Sequence, residues 1–236
     1  MIGLKNDELK DIVNVLVYDD PDLKTLYREA INNVNGDGVE NSIAKAKWDH
    51  RYNSLVKVAK KHKLRFGKLQ RGNLWQAIFI VGEDNAIYIF FSHQNLKNIL
   101  EKGKNNHYLK LLNFFNKHFK NHKPLVEQLE FKLSIEPSST MTDAALEAEA
   151  RKIVSMLENE PSKVVVFSFD KVAVSTVKAY VFNDKHQAIW QKDYTYLIER
   201  NYTFSLMADN NNITTQEKDA PISSKKPIVK LKKINN

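Results

Sequence analysis

Between Arg71 and His93 the chain reads RGNLWQAIFIVGEDNAIYIFFSH, and few folds can accommodate such a stretch. Ala77–Val81 and Ala86–Ser92 are rich in β-branched and aromatic residues, and the polar residues Gly82, Glu83, Asp84 and Asn85 between them suit a short hairpin loop. Both arms are almost continuously apolar, where a half-wet strand would alternate. Both faces of the hairpin therefore have to be covered, which makes it the centre of a sheet.

A second hairpin is expected near the other end of the chain. AYVFNDKHQAIW, 179–190, shares with the first stretch Ala179 for Ala77, Ala188-Ile189 for Ala86-Ile87 and Trp190 for Tyr88, with loops of equal length. Strands are expected over 64–70, 127–136, 163–169, 173–182 and 187–198. Apolar residues at helical spacing predict amphipathic helices over 6–18, 21–34, 43–62, 93–100, 106–121 and 142–159. In the second of these, Leu23, Leu26, Tyr27, Ala30, Ile31 and Val34 are expected to face inward. The fold class follows: α+β, mainly antiparallel sheet built from two hairpins and packed with several amphipathic helices. The organisation reads as an acidic helical arm (1–40), a basic α+β unit (41–136), a smaller unit of one helix and three strands (141–205) and a polar basic tail (206–236).

Charge divides the chain in the same way. Residues 1–40 hold 4 Lys/Arg against 9 Asp/Glu, a net −5, whereas residues 41–123 hold 17 against 4, a net +13. Residues 124–199 return to −4 (8 against 12), and residues 200–236 carry +4 (7 against 3). A block of +13 between acidic blocks is either a footprint for a polyanion or a surface neutralised by the chain's own acidic arm. The absence of cysteine removes disulfides, thiolate nucleophiles and cysteine-held metals. With no apolar leader and no run of roughly 18 apolar residues, a cytoplasmic protein without a membrane partner is the expectation.

The phosphate-cradling patterns GxxxxGK[ST] and GxGxxG are absent, as are HExxH, GxSxG and calcium-loop spacings. His118 and His122 stand four apart, a spacing for two ligands on one ion, but they lie on an apolar stripe with few carboxylates nearby. Glu83 and Asp84 fall in a turn, so no paired carboxylates with a following lysine assemble for a metal-dependent nuclease. His50, His62 and His93 beside Lys61, Lys63 and Arg65 are the residues a ribonuclease would draw on. No catalytic residue, metal ligand or cofactor is assigned. The most suggestive run is KKHKLRFGKLQRGNLW, 60–75, in which basic side chains alternate with His62, Phe66 and Trp75. Cations interleaved with rings are what a surface that tracks phosphates and stacks on bases needs.

WDHRYNSLVKVAKKHKL, the hairpin RGNLWQAIFIVGEDNAIYIFFS and the HQNLKNIL that follows resemble uncharacterised proteins of Gram-positive bacteria and their phages, over about Trp48–Leu100. The resemblance implies a mobile-element or phage setting and brings no activity with it. Two functions are therefore expected. One is non-enzymatic, largely sequence-nonspecific binding of DNA or RNA, with Lys57, Lys60, Lys61, Lys63, Arg65, Lys68 and Arg71 on phosphates. The alternative is a protein-interaction module, such as a phage or mobile-element inhibitor of a host enzyme.

Overall fold

Among the described residues, six strands form one sheet in the order of the sequence: β1 (Arg65–Arg71), β2 (Trp75–Val81), β3 (Ile87–Ser92), β4 (Val164–Asp170), β5 (Thr176–Phe182) and β6 (Ala188–Asp193). β3 and β4 run parallel, with Ile87 opposite Val164 and Ser92 opposite Phe169, and the other neighbours are antiparallel. Two three-stranded meanders thus stand side by side, pointing the same way. The computed structural model describes residues 2–71, 75–101, 107–125, 142–200 and 202. These fall within one compact unit, Met1–Thr203. The strand expected at 127–136, the turn at 137–140 and the basic tail lie outside the described residues.

The fold is α+β, as the apolar runs require. Helices α1 (Asn6–Val17), α2 (Leu23–Ala30), α3 (Ile43–Lys61), α4 (His93–Glu101), α5 (Tyr108–Leu112) and α6 (Asp143–Ile153) are joined by a 3₁₀ helix at Asn113–Phe119 and another at Thr195–Leu197. α1 and α3 cover one face of the sheet, where Trp48 of α3 meets the Phe169 ring at 5.7 Å. The opposite face carries Phe91, stacked on Tyr108 of α5 at 5.5 Å. It also carries Gly67, where a Cβ would come within 2.3 Å of Met156 Sδ and 2.4 Å of the Phe79 ring. With both faces covered, Phe79, Tyr88, Phe90, Phe167 and Tyr180 are all at most 1% exposed. Burial of each such side chain stabilises by roughly 1.5–3 kcal/mol.

The two hairpin loops share one conformation. Gly82 N–H donates to Ala86 O and Asn85 N–H to Gly82 O, both at 3.0 Å, with Asn85 left-handed at φ 56°. Asn183 N–H donates to Gln187 O at 2.9 Å and His186 N–H to Asn183 O at 3.0 Å, with His186 left-handed at φ 58°. The turns therefore correspond as Gly82 to Asn183. That is one residue out of step with the shared alanines, and the pairing of β5 with β6 is irregular between Val181 and Phe182.

Two local expectations need correction. The stripe of α2 and the turn after it is not buried: Leu23 and Tyr27 are half-buried, Leu26 is 55% exposed, Ile31 40% and Val34 68%. The helix expected over 106–121 is α for only five residues and then tightens to 3₁₀. The tightening aims Asn113 and Asn116, rather than another apolar row, into the core. Arg51 is 8% exposed despite its charge. Its guanidinium lies 4.7 Å over Phe169 and 5.3 Å over Trp48, and Nε donates to Leu16 O at 3.0 Å, tying α1 and α3 to the sheet.

Candidate nucleic-acid interface

Helix α3 ends in a Schellman turn. Lys63 N–H donates to Lys60 O at 3.1 Å and Leu64 N–H to Ala59 O at 2.8 Å, with Lys63 left-handed at φ 57°. Glycine usually fills this position because a Cβ is strained there. Here the strained residue carries a cation. The reversal leads directly into β1 and leaves Lys60, Lys63 and Arg65 exposed at the helix-to-strand corner.

Lys61 and His62 are turned towards the acidic arm instead. Lys61 Nζ lies 2.8 Å and His62 Nε2 2.7 Å from the same oxygen, Asp11 Oδ2 of α1. Arg51 similarly approaches Asp19 at 3.7 Å. The arm thus neutralises part of the basic block and leaves part of it open. Among the described residues, no ion pair takes Lys60, Lys63, Arg65 or Lys68. Arg65 does donate from Nη2 to Asn85 Oδ1 at 2.9 Å, which holds its side chain against the first hairpin loop.

The seven basic residues do not form a single row. Lys57 is half-buried on α3, and the Arg71 side chain lies outside the described residues. Successive side chains of a strand point to opposite faces, so Lys68 and Arg65 part company along β1. Lys68 lines a groove of about 400 Å³ between α3 and β2 with Lys45, Asp49, Tyr52, Asn53 and Gln76. Lys45 is the cation that the sequence did not single out. Its neighbourhood depends on where α3 packs, which no local spacing encodes. Phe66 is half-buried, and the Trp75 side chain lies outside the described residues.

The arrangement suits phosphate oxygens better than base edges. Exposed ammonium groups act as point charges, whereas base readout needs planar donors held against the base edges. Among the described residues β1 is also an edge strand, and a charged side chain such as Lys68 there disfavours the addition of a further strand.

The histidines considered for catalysis are scattered. His50 and His62 stand about 18 Å apart along α3 at 1.5 Å per residue, while His93 begins α4 next to the opposite face of the sheet. His118 and His122 are exposed, and the 3₁₀ winding removes the shared face that their spacing implied. Each packs against the Phe119 ring, at 3.9 and 5.1 Å between centroids. Among the described residues, no group of three or more His, Asp or Glu side chains is placed to hold a metal ion, and no helix is long and apolar enough to cross a membrane.

Comparison with known proteins gives one match, a family model described as a family of unknown function (DUF5986), over residues 23–236. No curated protein matches the chain. No solved structure matches it either.

Proposed function

The chain belongs to DUF5986, a family of unknown function, and from its own residues we propose that it is a non-enzymatic, cytoplasmic nucleic-acid-binding protein that holds the phosphate backbone without reading sequence. One observation carries this reading: Lys60, Lys63, Arg65 and Lys68 stay exposed and outside the ion pairs with which the acidic arm takes Lys61 and Arg51. Lys57 and Arg71 flank that set in the sequence and extend it. The test is fluorescence anisotropy with labelled single-stranded and duplex DNA and RNA at about 50 and 200 mM salt. Four phosphate contacts give a slope of log affinity on log salt of about −3 for single strands and about −3.6 for duplex DNA. No binding to any of the four probes at the lower salt would end the proposal.

Lys63→Gly separates stability from binding. Glycine relieves the left-handed strain, so the variant is expected to gain about 0.5–1 kcal/mol in urea unfolding. It should bind more weakly, with a salt slope smaller by about 1. Equal or tighter binding by this variant would remove Lys63 from the interface.

The exposed apolar residues of α2 and the loop after it favour a second reading, a protein-interaction module such as an inhibitor of a host enzyme. Leu26, Val34 and Val39, at 55%, 68% and 73% exposure, are more apolar surface than a solvated helix needs. A partner captured from a nuclease-treated bacterial lysate by the wild type and lost with Leu26→Asp would support it.

A further inference from the structure

β3 and β4 run parallel and part at their carboxyl ends. β3 passes straight into α4 at His93, over one face of the sheet, while β4 turns back into β5. In open sheets such a divergence leaves a crevice, and ligands collect there. Here the crevice has a volume of about 160 Å³ and is lined by His93, Ser168, Asp170, Thr176, Lys178 and Tyr180. The register explains the grouping. Ser168 lies opposite Lys178 and Asp170 opposite Thr176, so these four residues share one face, the face that also carries Phe91 and Tyr180. The crevice lies on β4 and β5, whereas the basic corner leads into β1 at the far side of the sheet, so the two are separate.

Three features give it a preference for an anion. The first turn of the nine-residue α4 opens at its rim, and a helix N-terminus carries partial positive charge. Lys178 adds a full charge from β5. Ser168 supplies the independent sign. It is 3% exposed, and its hydroxyl has no hydrogen-bond partner. A buried unpaired hydroxyl is a cost that folds rarely leave standing. A ligand oxygen in the crevice would remove it.

Asp170 restricts the choice further. Its Oδ1 accepts from the amides of Lys171 and Val172 at 2.6 and 3.1 Å, which fixes the carboxylate at the crevice mouth. A bare dianion would be repelled by it, whereas an anion that carries its own O–H can donate to the second oxygen. The volume is below the roughly 300 Å³ at which drug-sized pockets begin, which leaves room for a phosphate group with a small substituent. We propose that this crevice binds a protonated phosphate group, as inorganic phosphate or a small phosphate monoester, between Ser168, Lys178, the start of α4 and Asp170.

Inorganic phosphate and glycerol 3-phosphate are the probes, with sulfate, which has no proton to donate near neutral pH, as the control at matched ionic strength. Thermal unfolding of the full chain is expected to shift upward with phosphate or the monoester by mass action, with sulfate at least about tenfold weaker. The arm with the larger shift shows whether the free ion or the ester is the ligand. Ser168→Ala should unfold at the same or a higher temperature without phosphate, because it removes an unpaired hydroxyl, and yet lose at least about tenfold in phosphate affinity. Lys178→Met should lose at least as much. Equal shifts with sulfate and phosphate, or phosphate binding unchanged in both variants, would overturn the proposal and leave only general anion effects on the surface. Retained nucleic-acid binding in Ser168→Ala would show that the two sites act independently.

Discussion

Replacing Asn116 by alanine is expected to destabilise the protein by about 3–4 kcal/mol. Asn116 is fully buried in the 3₁₀ helix, and its side chain bridges the start of β4 and the end of β5. Nδ2 donates to Val164 O at 3.1 Å, Phe182 O at 2.9 Å and Asn113 Oδ1 at 3.0 Å, while Oδ1 accepts from Val164 N–H at 2.8 Å. Alanine removes the side-chain bonds made to the Val164 amide and to the Val164 and Phe182 carbonyls in a buried site. Each orphaned group costs about 1–3 kcal/mol, partly offset as the site relaxes. Asn116→Asp keeps an acceptor for Val164 but sets a carboxylate against the carbonyls of Val164 and Phe182, so it should fare no better. Urea unfolding measures both variants. A loss under about 1 kcal/mol for Asn116→Ala would mean that the clamp is dispensable.

The second large effect is pH-dependent. His186 sits left-handed in the second hairpin loop, and its Nδ1 accepts from Asn113 Nδ2 at 3.0 Å, an arrangement that only the neutral ring permits. Burial, reinforced by the positive charge of Lys110, lowers its pKa from 6.5 to about 4. The unfolded chain therefore takes up a proton on this ring at a higher pH than the folded one. Stability is fully present above about pH 6.5 and is lost as pH falls towards 4. The full loss from this one ring is about 3 kcal/mol. His186→Asn keeps a residue that tolerates the left-handed conformation and removes the titration. Unfolding free energies measured from pH 7 to 4.5 should fall more steeply for the wild type than for this variant. Parallel curves would show that His186 is protonated in the fold as readily as in the unfolded chain.

Both effects belong to one stitch. Asn113 donates to the Asn183 carbonyl and to His186, and Asn116 bonds the first residue of β4 and the last of β5. Nothing in FFNKHFK announces this. Read by period, 106–121 gives an amphipathic helix with phenylalanines inward. The asparagines between them look like ordinary solvated positions until the strands 48 and 66 residues away arrive beside them.

Where one face of an element is apolar and one is not, the sequence was enough. Ile12, Val13 and Leu16 at helical spacing are fully buried in α1, and the double-sided apolar arms at 77–81 and 87–91 are buried on both faces. α2 shows the limit of the same rule. Its apolar stripe is as regular as that of α1, but a stripe states only that a partner is wanted, and among the described residues Leu26 and Val34 stay 55% and 68% exposed. The candidate interface was legible as a cluster and not as a surface. The count of cations in 57–71 is local information, whereas pairing with Asp11 or Asp19, opposite faces of β1 and the approach of Lys45 depend on residues far along the chain. The crevice at Ser168 and Lys178 left no trace at all, since no motif spans the 75 residues between His93 and Ser168.

The sequence by itself determined the fold class, the hairpins and the placing of charge in blocks, because side-chain periodicity and turn chemistry act over a few residues. Tertiary structure alone decided that β3 and β4 pair in parallel and join the two meanders into one sheet. It also decided which lysines the acidic arm takes and which polar groups are buried together. These are matters of long-range pairing, where hydrogen bonds and ion pairs form between groups whose distance along the chain carries no signal.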